Sequence, residues 1–514
     1  MTSNKKKFNF LYNHRFFLLL ILILSLILRI AALRINNRSG FFCDEASIGY
    51  NAYCLLTNGK DEYGKSWPVF YRAFGEYKNP VMVYSTMPLV ALFGLTETSV
   101  RLTSVIYGIL GVLALYRLSR QLVSKEAGLI SALFLAISPW HIHLSGAALE
   151  GLMPFVFFTT AGTFFWLVYL KRRNGSFYTA ITLFSLALYS YFPARIFIPL
   201  YCLGLIVLDI KYVLKDYQKM FLGTFLTLIL ILPMLVHLLF GPGMSRWHQV
   251  KSTKSAPEIS RVYLAHFSPA FLFLKGDIDS PGQFITRHSI RGIGQFYLYQ
   301  LPLTLIGLAY SIINKKTKVL SILILWLILY PLAGSFTDAT SPQATRSVIG
   351  VIPFQVFSAV GVISFFNLIK KTKIQLISAC FFVTIIFLSF FNFLKLWQDY
   401  PQYSADFWGW QFGPQEVMKY FLAQKNNYDQ LCLEGVFNAP NIFLNFYDPK
   451  NNCSGKCDIC SLESYQPKAK QLFAVSLTTY KEKIENRPNI NFETQKIIYY
   501  PNNQAAFLIG KMIE

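Results

Sequence analysis

Residues 16–33 decide the fold class of this chain, and they read FFLLLILILSLILRIAAL. The only charged side chain in this stretch is Arg29. A helix of about 20 predominantly apolar residues is long enough to cross a hydrocarbon core of about 30 Å. The apolar run is too long for a signal peptide, and no small-residue cleavage site follows it. The stretch therefore predicts a retained first transmembrane helix.

Apolar runs of similar length recur along the chain. Of its 514 residues, 54% are hydrophobic and 14% are charged, whereas about 25% of the residues of an ordinary soluble domain are charged. Further spans are predicted at residues 100–118, 127–143, 152–170, 177–192, 195–210, 219–240, 296–313, 319–335, 347–369 and 374–394. We therefore expect an all-α polytopic membrane protein with about 11 transmembrane helices. The apolar piece 81–95 is short for a span, and we predict that it lies at the outer membrane interface.

The basic residues of the short connections predict the orientation of the chain. The N-terminal segment contains Lys5, Lys6, Lys7 and Arg15. Every connection that the predicted spans place on the same side is also basic, namely residues 117–125, 171–173, 211–219, 315–318 and 370–373. We therefore expect a plasma-membrane protein with a cytoplasmic N-terminus and an extracytoplasmic C-terminus. The outer loops are then residues 34–80, 138–151, 241–295 and 335–346.

The net charge of +22 does not indicate a nucleic-acid partner. Residues 395–514 contain 12 basic and 12 acidic residues, so the part outside the membrane is neutral. The positive excess lies in the membrane part, mostly in the short connections, where it reports topology and contact with anionic lipid headgroups. We therefore predict membrane lipids as partners and no nucleic acid.

The chain is predicted to have two domains. Residues 1–394 form the transmembrane domain, and residues 395–514 form a small extracytoplasmic α/β domain. Strand character is found at residues 430–436, 471–477 and 496–500, and residues 414–424 are typical of a helix. Cys432 lies in the same domain as Cys453, Cys457 and Cys460, and disulfides are the default outside a cell membrane. A metal site and free thiols remain alternatives for this cluster.

Ionisable residues from separate outer loops are the candidates for chemistry. Asp44 and Glu45 follow the first span, and adjacent carboxylates at a membrane surface are costly unless they are paired. An alternative role for Asp44 is to cap a helix beginning near Ala46. The other candidates are Lys78 before the interfacial helix, Glu150 after the third span, Arg195 after the fifth and Arg346 before the tenth. Each arginine has the alternative role of a headgroup anchor.

At these residues the chain resembles the GT-C glycosyltransferases of the protein-mannosyltransferase and aminoarabinose-transferase type, which are similar to glycosyltransferase family 39. The resemblance rests on Asp44-Glu45 after the first span, the turn Lys78-Asn79-Pro80, the acid Glu150 and the polar turn ending in Arg346. The family's turn more often reads Lys-Pro-Pro, and its acid after the third span is more often Asp. The resemblance implies a polyprenyl-phosphate-linked sugar as donor and Asp44 as the base.

The chemistry of such a transfer explains these residue types. The leaving group is already a stable phosphate, so the reaction needs one base and no general acid, and a base contributes about 10²–10⁴ in rate. The arginine guanidinium can bind the departing phosphate through two parallel hydrogen bonds. We assign Asp44 as base, Glu45 and Glu150 as orienting or metal-supporting acids, and Lys78, Arg195 and Arg346 as phosphate partners. Tyr77, Trp140, His141 and Tyr191 are predicted to line the sugar pocket, because aromatic faces stack on sugars.

Two questions stay open at the level of sequence. No cofactor is assigned, although a divalent cation is an alternative, and His141 with His143 has weak metal-ligand spacing. We expect the acceptor to be a hydroxyl of a cell-envelope molecule, and whether that molecule is a glycan, a lipid or a protein stays open.

A transporter or flippase of lipid-linked saccharides is the alternative function, since embedded charges mark such pathways. Only Arg29 and His237 are clearly embedded in predicted spans, which favours a surface reaction. A non-catalytic scaffold would not need the Asp44-Glu45 pair.

Overall fold

The computed structural model describes residues 14–277, 285–369, 371–406, 409–435, 439–485 and 491–513. The basic residues Lys5, Lys6, Lys7 and Lys370, which entered the topology prediction, lie outside the described residues, as does Val436 at the end of a predicted strand. The helices of the first half are α1 (His14–Ser39), α2 (Cys43–Asn58), α3 (Pro80–Phe93), α4 (Glu97–Leu122), α5 (Lys125–Ile137), α6 (Pro139–Ser145), α7 (Leu152–Arg172), α8 (Ser176–Leu188), α9 (Ala194–Leu208), α10 (Ile210–Val213) and α11 (Tyr217–Phe240).

The second half continues with α12 (Ser245–Val250), α13 (Ala256–Ala265), α14 (Gln300–Ile313), α15 (Thr317–Leu329), α16 (Leu332–Ser335), α17 (Val351–Leu368), α18 (Thr372–Gln398), α19 (Tyr400–Ser404), α20 (Pro414–Gln424), α21 (Asn441–Tyr447) and α22 (Leu477–Tyr480). The strands are β1 (Tyr71–Ala73), β2 (Glu76–Lys78), β3 (Gln430–Leu433), β4 (Cys457–Ile459), β5 (Gln471–Ser476), β6 (Asn491–Tyr499) and β7 (Ala505–Ile513).

The long helices pass back and forth between two ends of one bundle. We call the end at which α1 stops and α4 starts the site end, and the opposite end the distal end. In the described part of the chain the passes are α1, α4, α5–α6, α7, α8, α9, α10–α11, α14, α15–α16, α17 and α18. Within the described residues, seven helices are long and apolar enough to cross a membrane alone, while α8, α9 and α14 are shorter. The prediction of a polytopic all-α membrane fold is therefore confirmed, and the predicted number of eleven spans is approximate.

The basic connections between passes meet at the distal end. Arg173 after α7 forms an ion pair with Asp216 before α11, with 3.1 Å between nitrogen and oxygen. Lys318 at the start of α15 forms an ion pair with Asp209 after α9. These pairs tie neighbouring connections together, so the basic connections 171–173, 211–219 and 315–318 lie at one common end of the bundle.

The helix α3 starts and ends at the site end. Lys78, two residues before α3, pairs with Asp44, and Arg101 in the first turns of α4 pairs with Glu45. Because Asp44 and Glu45 are neighbours, the residues that precede α3 and the helix that follows it meet at the same turn of α2. Helix α3 therefore returns without crossing the bundle, which agrees with the interfacial position predicted for residues 81–95.

Arg29 is fully buried in α1, where it bridges a break between α5 and α6. The two helices are bent by 59° at this break. Pro139 has no N–H and cannot donate to the Leu135 carbonyl four residues earlier. The Arg29 guanidinium donates to the carbonyls of Ala136 at 3.2 Å and Leu135 at 3.4 Å. The embedded charge therefore satisfies backbone acceptors at a helix break.

The C-terminal domain stands at the site end and contains a mixed five-stranded sheet. Its strand order is β4-β3-β5-β7-β6, with β3 parallel to β4 and β5 and β7 antiparallel to β5 and β6. The predicted helix 414–424 is α20, and the three predicted strand regions fall in β3, β5 and β6. Helix α18 runs to Gln398, so the domain boundary expected at 394/395 lies inside its last turns.

The cysteines of this domain form two disulfides. Cys432 pairs with Cys460, and Cys453 pairs with Cys457. The structure therefore has the disulfide arrangement, rather than the zinc or free-thiol alternatives.

Candidate active site

The first turn of α2 carries both acids that follow the first span. The helix starts at Cys43, three residues before the position expected from sequence, and Phe42 is its N-cap. Acidic side chains are favourable there because they face the positive end of the helix dipole. The Glu45 carboxylate accepts from the Phe42 N–H at 3.2 Å. Glu45, and not Asp44, is therefore the capping acid.

Glu45 is held in a fully buried ion pair with Arg101 of α4. Its two oxygens accept from Arg101 Nε at 2.9 Å and from a terminal guanidinium nitrogen at 2.6 Å, and from the Ala148 N–H at 2.7 Å. Such a pair offsets the high cost of burying both charges. The carboxylate is saturated by these partners, so Glu45 orients α2 against α4 and the loop before α7. The expectation that it supports a metal is not met by this geometry.

A short hairpin, β1–β2, brings a lysine to the same turn of α2. Its two-residue loop, Phe74-Gly75, has φ values of 52° and 78°, which suit the right-handed twist of a tight hairpin. Successive side chains of a strand point to opposite faces. Glu76 and Lys78 therefore share one face, while Tyr77 points to the other and packs against His237 at 5.1 Å between ring centroids.

Three carboxylates surround the Lys78 ammonium, and we call Asp44, Glu76, Glu150 and Lys78 the charged cluster. Lys78 Nζ lies 3.2 Å from Asp44 Oδ1 and 3.5 Å from Glu150 Oε1, and it bonds Glu76 Oε1. Burial alone would lower the pKa of Lys78, but the three carboxylates together raise it, so the lysine stays charged. Burial raises the pKa of Glu150 against the opposing effect of Lys78. Glu150 also has a left-handed backbone (φ 48°), a conformation that is uncommon for a non-glycine residue.

A cavity of about 320 Å³ opens beside the charged cluster and contains three arginines. Arg195, Arg246 and Arg346 all contribute to its wall, together with Glu150 and Tyr191. The remaining wall is largely apolar, and includes Phe192, Ile196, Leu238, Met244 and Trp247. The predicted residues Arg195, Arg346 and Tyr191 are therefore brought together, whereas Tyr77 lies outside this wall.

Each of the three arginines is held in place by a protein acceptor. Arg195 donates to the Asn79 side-chain oxygen at 2.9 Å, and Arg346 donates to the Thr337 hydroxyl. Arg246 lies 3.0 Å from a carboxylate oxygen of Glu76, the residue that also binds Lys78. The Glu76 carboxylate thus links the charged cluster to the arginine-lined cavity.

Glu150 also lies between this cavity and a second, smaller cleft. The cleft is bordered by Asp44, Lys78 and Glu150, and the larger cavity by Glu150 and the arginines. One side of the Glu150 carboxylate therefore faces Asp44, and its other side faces the three arginines. A substrate that reached across Glu150 would have the Asp44 carboxylate at one end and the arginines at the other.

Glu76 and Arg246 were not singled out by the sequence analysis. Glu76 stands two residues before Lys78 in a strand that follows the turn-forming Phe74-Gly75, and this alternation was a usable signal. Arg246 lies in the short helix α12, within the predicted outer loop 241–295, where no local pattern marks it.

Two residues predicted to line the pocket, Trp140 and His141, lie outside the wall of the cavity. Trp140 is 2% exposed, and its indole nitrogen donates to the Ala344 carbonyl at 3.0 Å. His141 is fully buried, and its Nδ1 lies 2.6 Å from an Arg29 guanidinium nitrogen. The break at Pro139 makes α6 a packed element of the core, so neither ring reaches the cavity. The contact with Arg29 also leaves His141 unsuited to metal ligation.

The alternative of a divalent cation was tested against the charged cluster. Carboxylate oxygens are the ligands that hard divalent cations prefer. Here, however, the oxygens of Asp44, Glu76 and Glu150 converge on the Lys78 ammonium, which takes the position of a cation. Among the described residues, no group of three or more His, Cys, Asp or Glu side chains has a metal-binding arrangement. The residues present therefore do not fit a divalent cation without displacement of Lys78.

Comparisons with known proteins show similarity in sequence over part of the chain and in fold over most of it. Residues 78–237 match the family described as dolichyl-phosphate-mannose-protein mannosyltransferase. ArnT from Cupriavidus metallidurans in the apo state aligns with a TM-score of 0.57 and 11% identity, covering 96% of this chain and 97% of that chain. The same protein bound to undecaprenyl phosphate aligns with a TM-score of 0.53 and 14% identity over the same shares.

An oligosaccharyltransferase from Archaeoglobus fulgidus, tethered with an acceptor peptide, aligns with a TM-score of 0.52 and 12% identity, covering 88% of this chain and 64% of that chain. A further structure of the archaeal enzyme is in complex with Zn and sulfate, at a TM-score of 0.50 and 13% identity, covering 86% of this chain and 62% of that chain. None of the curated protein sequences matches this chain. The family match starts at Lys78, in the centre of the charged cluster. The structural match to ArnT extends over nearly the whole chain, so this polytopic protein has an ArnT-like fold.

Proposed function

We propose that the protein is a glycosyltransferase that moves a sugar from a polyprenyl-phosphate donor to a hydroxyl of a cell-envelope glycan, lipid or protein. The observation that carries the proposal is the position of Glu150 between the Asp44 cleft and the cavity with three arginines. Two structures of similar proteins, ArnT bound to undecaprenyl phosphate and the archaeal oligosaccharyltransferase in complex with a dolichol-phosphate, support a lipid phosphate as donor.

The three arginines are proposed to hold the donor phosphate. A sugar phosphodiester carries one negative charge, and the lipid phosphate that leaves carries about two. Preorganised cations near the position where charge develops stabilise the transition state more than the ground state. Arg195, Arg246 and Arg346 have this preorganisation, because each is fixed by a protein acceptor. The apolar wall residues Ile196, Leu238 and Met244 suit the start of a polyprenyl chain.

Asp44 is proposed to be the base. The acceptor oxygen attacks the anomeric carbon, the bond from that carbon to the phosphate oxygen breaks with its electron pair on the phosphate, and the hydroxyl proton moves to Asp44. Protonated Asp44 no longer attracts Lys78, whose nitrogen lies 3.2 Å away in the structure. Lys78 keeps its contacts with Glu76 and Glu150. Its positive charge is then less compensated, which favours the negative charge that develops on the departing phosphate.

Glu150 and Tyr191 are proposed to contact the sugar. Both border the arginine-lined cavity, and Glu150 also borders the Asp44 cleft, which is where a sugar joined to the phosphate would lie. A carboxylate is a good acceptor for sugar hydroxyls, and an aromatic face stacks well on a sugar ring.

The reaction is proposed to take place at the outer face of the plasma membrane. The basic connections gather at the distal end of the bundle, and basic connections are typical of the cytoplasmic side. This orientation leaves the N-terminus in the cytoplasm and the C-terminal domain outside.

Transfer from a panel of radiolabelled polyprenyl-phosphate sugars to membrane acceptors tests the proposal. The purified protein should transfer label from at least one donor, and a protein with Glu126→Gln, an exposed acid at the distal end, should retain this activity. Movement of labelled lipid across a vesicle membrane without any transfer would instead favour the alternative, a transporter or flippase. Embedded Arg29 offers that alternative little support, since its guanidinium is engaged by carbonyls at a helix break.

A further inference from the structure

We propose that the C-terminal domain positions Asp44 for the reaction, and that Gln411 is the residue through which it acts. The contact between Gln411 and α2 is a property of the structure alone. The consequence for catalysis rests on the proposed function, in which Asp44 is the base.

The central contact joins Gln411 to the first residue of α2. The Gln411 side-chain oxygen accepts from the Cys43 N–H at 2.9 Å, and both residues are buried. The first N–H groups of a helix have no acceptor within the helix. An acceptor from another domain therefore fixes where α2 starts, one residue before Asp44.

The backbone on either side of this contact is closely packed. Gly40 has φ 124°, and a side-chain carbon at this position would lie only 2.7 Å from the Trp410 carbonyl oxygen and 2.8 Å from Phe412. The chain before α2 therefore packs directly on the backbone of residues 410–412. Gln411 itself has a left-handed backbone, with φ 55°, which turns the chain at the point of contact.

Cation–aromatic contacts extend the same interface on both sides. The Arg101 guanidinium lies 5.3 Å from the Phe41 ring centroid and 5.1 Å from that of Trp410. The Arg287 guanidinium lies 3.6 Å from the Phe42 ring centroid, and it donates to the Gly409 carbonyl at 3.0 Å. The segment that leads into Asp44 is thus held between the bundle and the C-terminal domain.

The C-terminal domain also contacts α2 and α4 further from Asp44. Phe446 of α21 packs on Phe41, with 4.9 Å between ring centroids, and also closes over Gly49 of α2. The Tyr447 hydroxyl donates to Glu97 at the start of α4. None of these side chains reaches the arginine-lined cavity, so the domain acts on the position of the base and not on the donor phosphate.

The size of the expected effect follows from how steeply catalysis depends on geometry. A base must lie within hydrogen-bond reach of the proton that it removes, and a misplacement of about 1 Å can cost about 100-fold in rate. Loss of one hydrogen bond at the start of α2 should loosen Asp44 by less than this. We therefore expect turnover to fall about tenfold, with the KM for the donor unchanged.

Two substitutions at Gln411 separate positioning from simple packing. Gln411→Met keeps the length of the side chain and removes the acceptor, whereas Gln411→Glu keeps an acceptor and adds a negative charge near Asp44. Gln495→Met is the matched control, since Gln495 is an exposed residue of β6 that bonds only tyrosines of its own domain in the described structure.

Hydrogen–deuterium exchange of peptides covering residues 41–50, measured without substrate, reports the contact, and initial transfer rates report its consequence. Gln411→Met should speed exchange in these peptides and reduce turnover about tenfold. Gln411→Glu should keep the protection and shift the acidic limb of the pH–rate profile to higher pH, because the added charge disfavours ionised Asp44. The control should match the wild type in both measurements.

Unchanged exchange in Gln411→Met would overturn the contact, and faster exchange with unchanged turnover would overturn the positioning role. If Gln411→Met does not fold, an unmoved pH–rate profile in Gln411→Glu overturns the role instead. A wild-type protein without transfer activity would defeat the proposed function, while the exchange measurement would still decide the contact.

Discussion

Replacement of Asp44 by asparagine separates a catalytic base from a structural acid. Asp44→Asn keeps the shape of the side chain and removes its basicity. Helix α2 is capped by Glu45 and by Gln411, so the substitution leaves the helix start in place. We expect the variant to insert and fold like the wild type and to lose transfer activity by about 10²-fold or more, the size typical of general-base loss.

The charges of the cluster explain why folding should survive. The Lys78 ammonium contacts three carboxylates, those of Asp44, Glu76 and Glu150. Asp44→Asn removes one of these charges, and Lys78 keeps two carboxylate partners. The free energy of unfolding should therefore change by much less than the roughly 3–5 kcal/mol lost when a buried charge is left without a partner.

The assay compares initial transfer rates and thermal unfolding of purified wild type, Asp44→Asn and the distal control Glu126→Gln. Near-normal turnover in Asp44→Asn would remove Asp44 from the mechanism and leave Glu150 as the next candidate. A large fall in the unfolding temperature of Asp44→Asn, with activity lost in proportion to folded protein, would refute the charge argument instead.

The remaining predictions concern the phosphate site, the topology and the effect of pH. Arg346→Gln should weaken donor binding about 10- to 100-fold, since a hydrogen bond to a charged group contributes about 1.5–3 kcal/mol. The control Arg261→Gln, at an exposed residue, should bind the donor like the wild type. Equal KM values for the donor in the two variants would exclude Arg346 from the phosphate site. Reporter fusions after Arg173 and Lys371 should be cytoplasmic and fusions after Pro242 and Glu514 external, and a cytoplasmic C-terminus would contradict the orientation. Burial raises the pKa of Glu62 to about 7, partly opposed by its hydrogen bond from Asn51. The folded state therefore holds this proton more tightly than the unfolded state, so unfolding free energy should fall by about 1.4 kcal/mol between pH 6 and 8. Glu62→Gln should flatten this dependence in urea unfolding curves, and an unaltered slope would show that another group is responsible.

The sequence was sufficient for the fold because membrane spans are defined by local composition. The length of an apolar run and the side of its basic flanks are both readable along one chain. The same holds for α3, whose shortness predicted that it would not cross. The elements α20, β3 and β5 of the C-terminal domain were predicted correctly, because the hydrophobic patterns of helices and strands are local.

The candidate site was predictable only where its residues flank spans. Asp44, Lys78 and Glu150 were found because span ends at one face must lie near one another. Arg246 lies in the short helix α12, inside a long connection whose path depends on distant packing. Trp140 and His141 were misplaced for a related reason. Sequence placed them at the end of a continuous span, but Pro139 breaks the helix, and Arg29 from another helix fills the gap.

The bridge made by Arg29 has a consequence for the order in which the protein is assembled. Helix α1 is synthesised long before α5 and α6, so it enters the bilayer while its arginine has no helix break to satisfy. The fourteen Leu, Ile and Phe residues among positions 16–33 favour insertion by about 4–8 kcal/mol in sum. This exceeds the cost of about 2.5–3.5 kcal/mol for an arginine at the helix centre. The first helix can therefore insert alone with an unsatisfied charge, and that charge then recruits the broken helix as it emerges from the translocon.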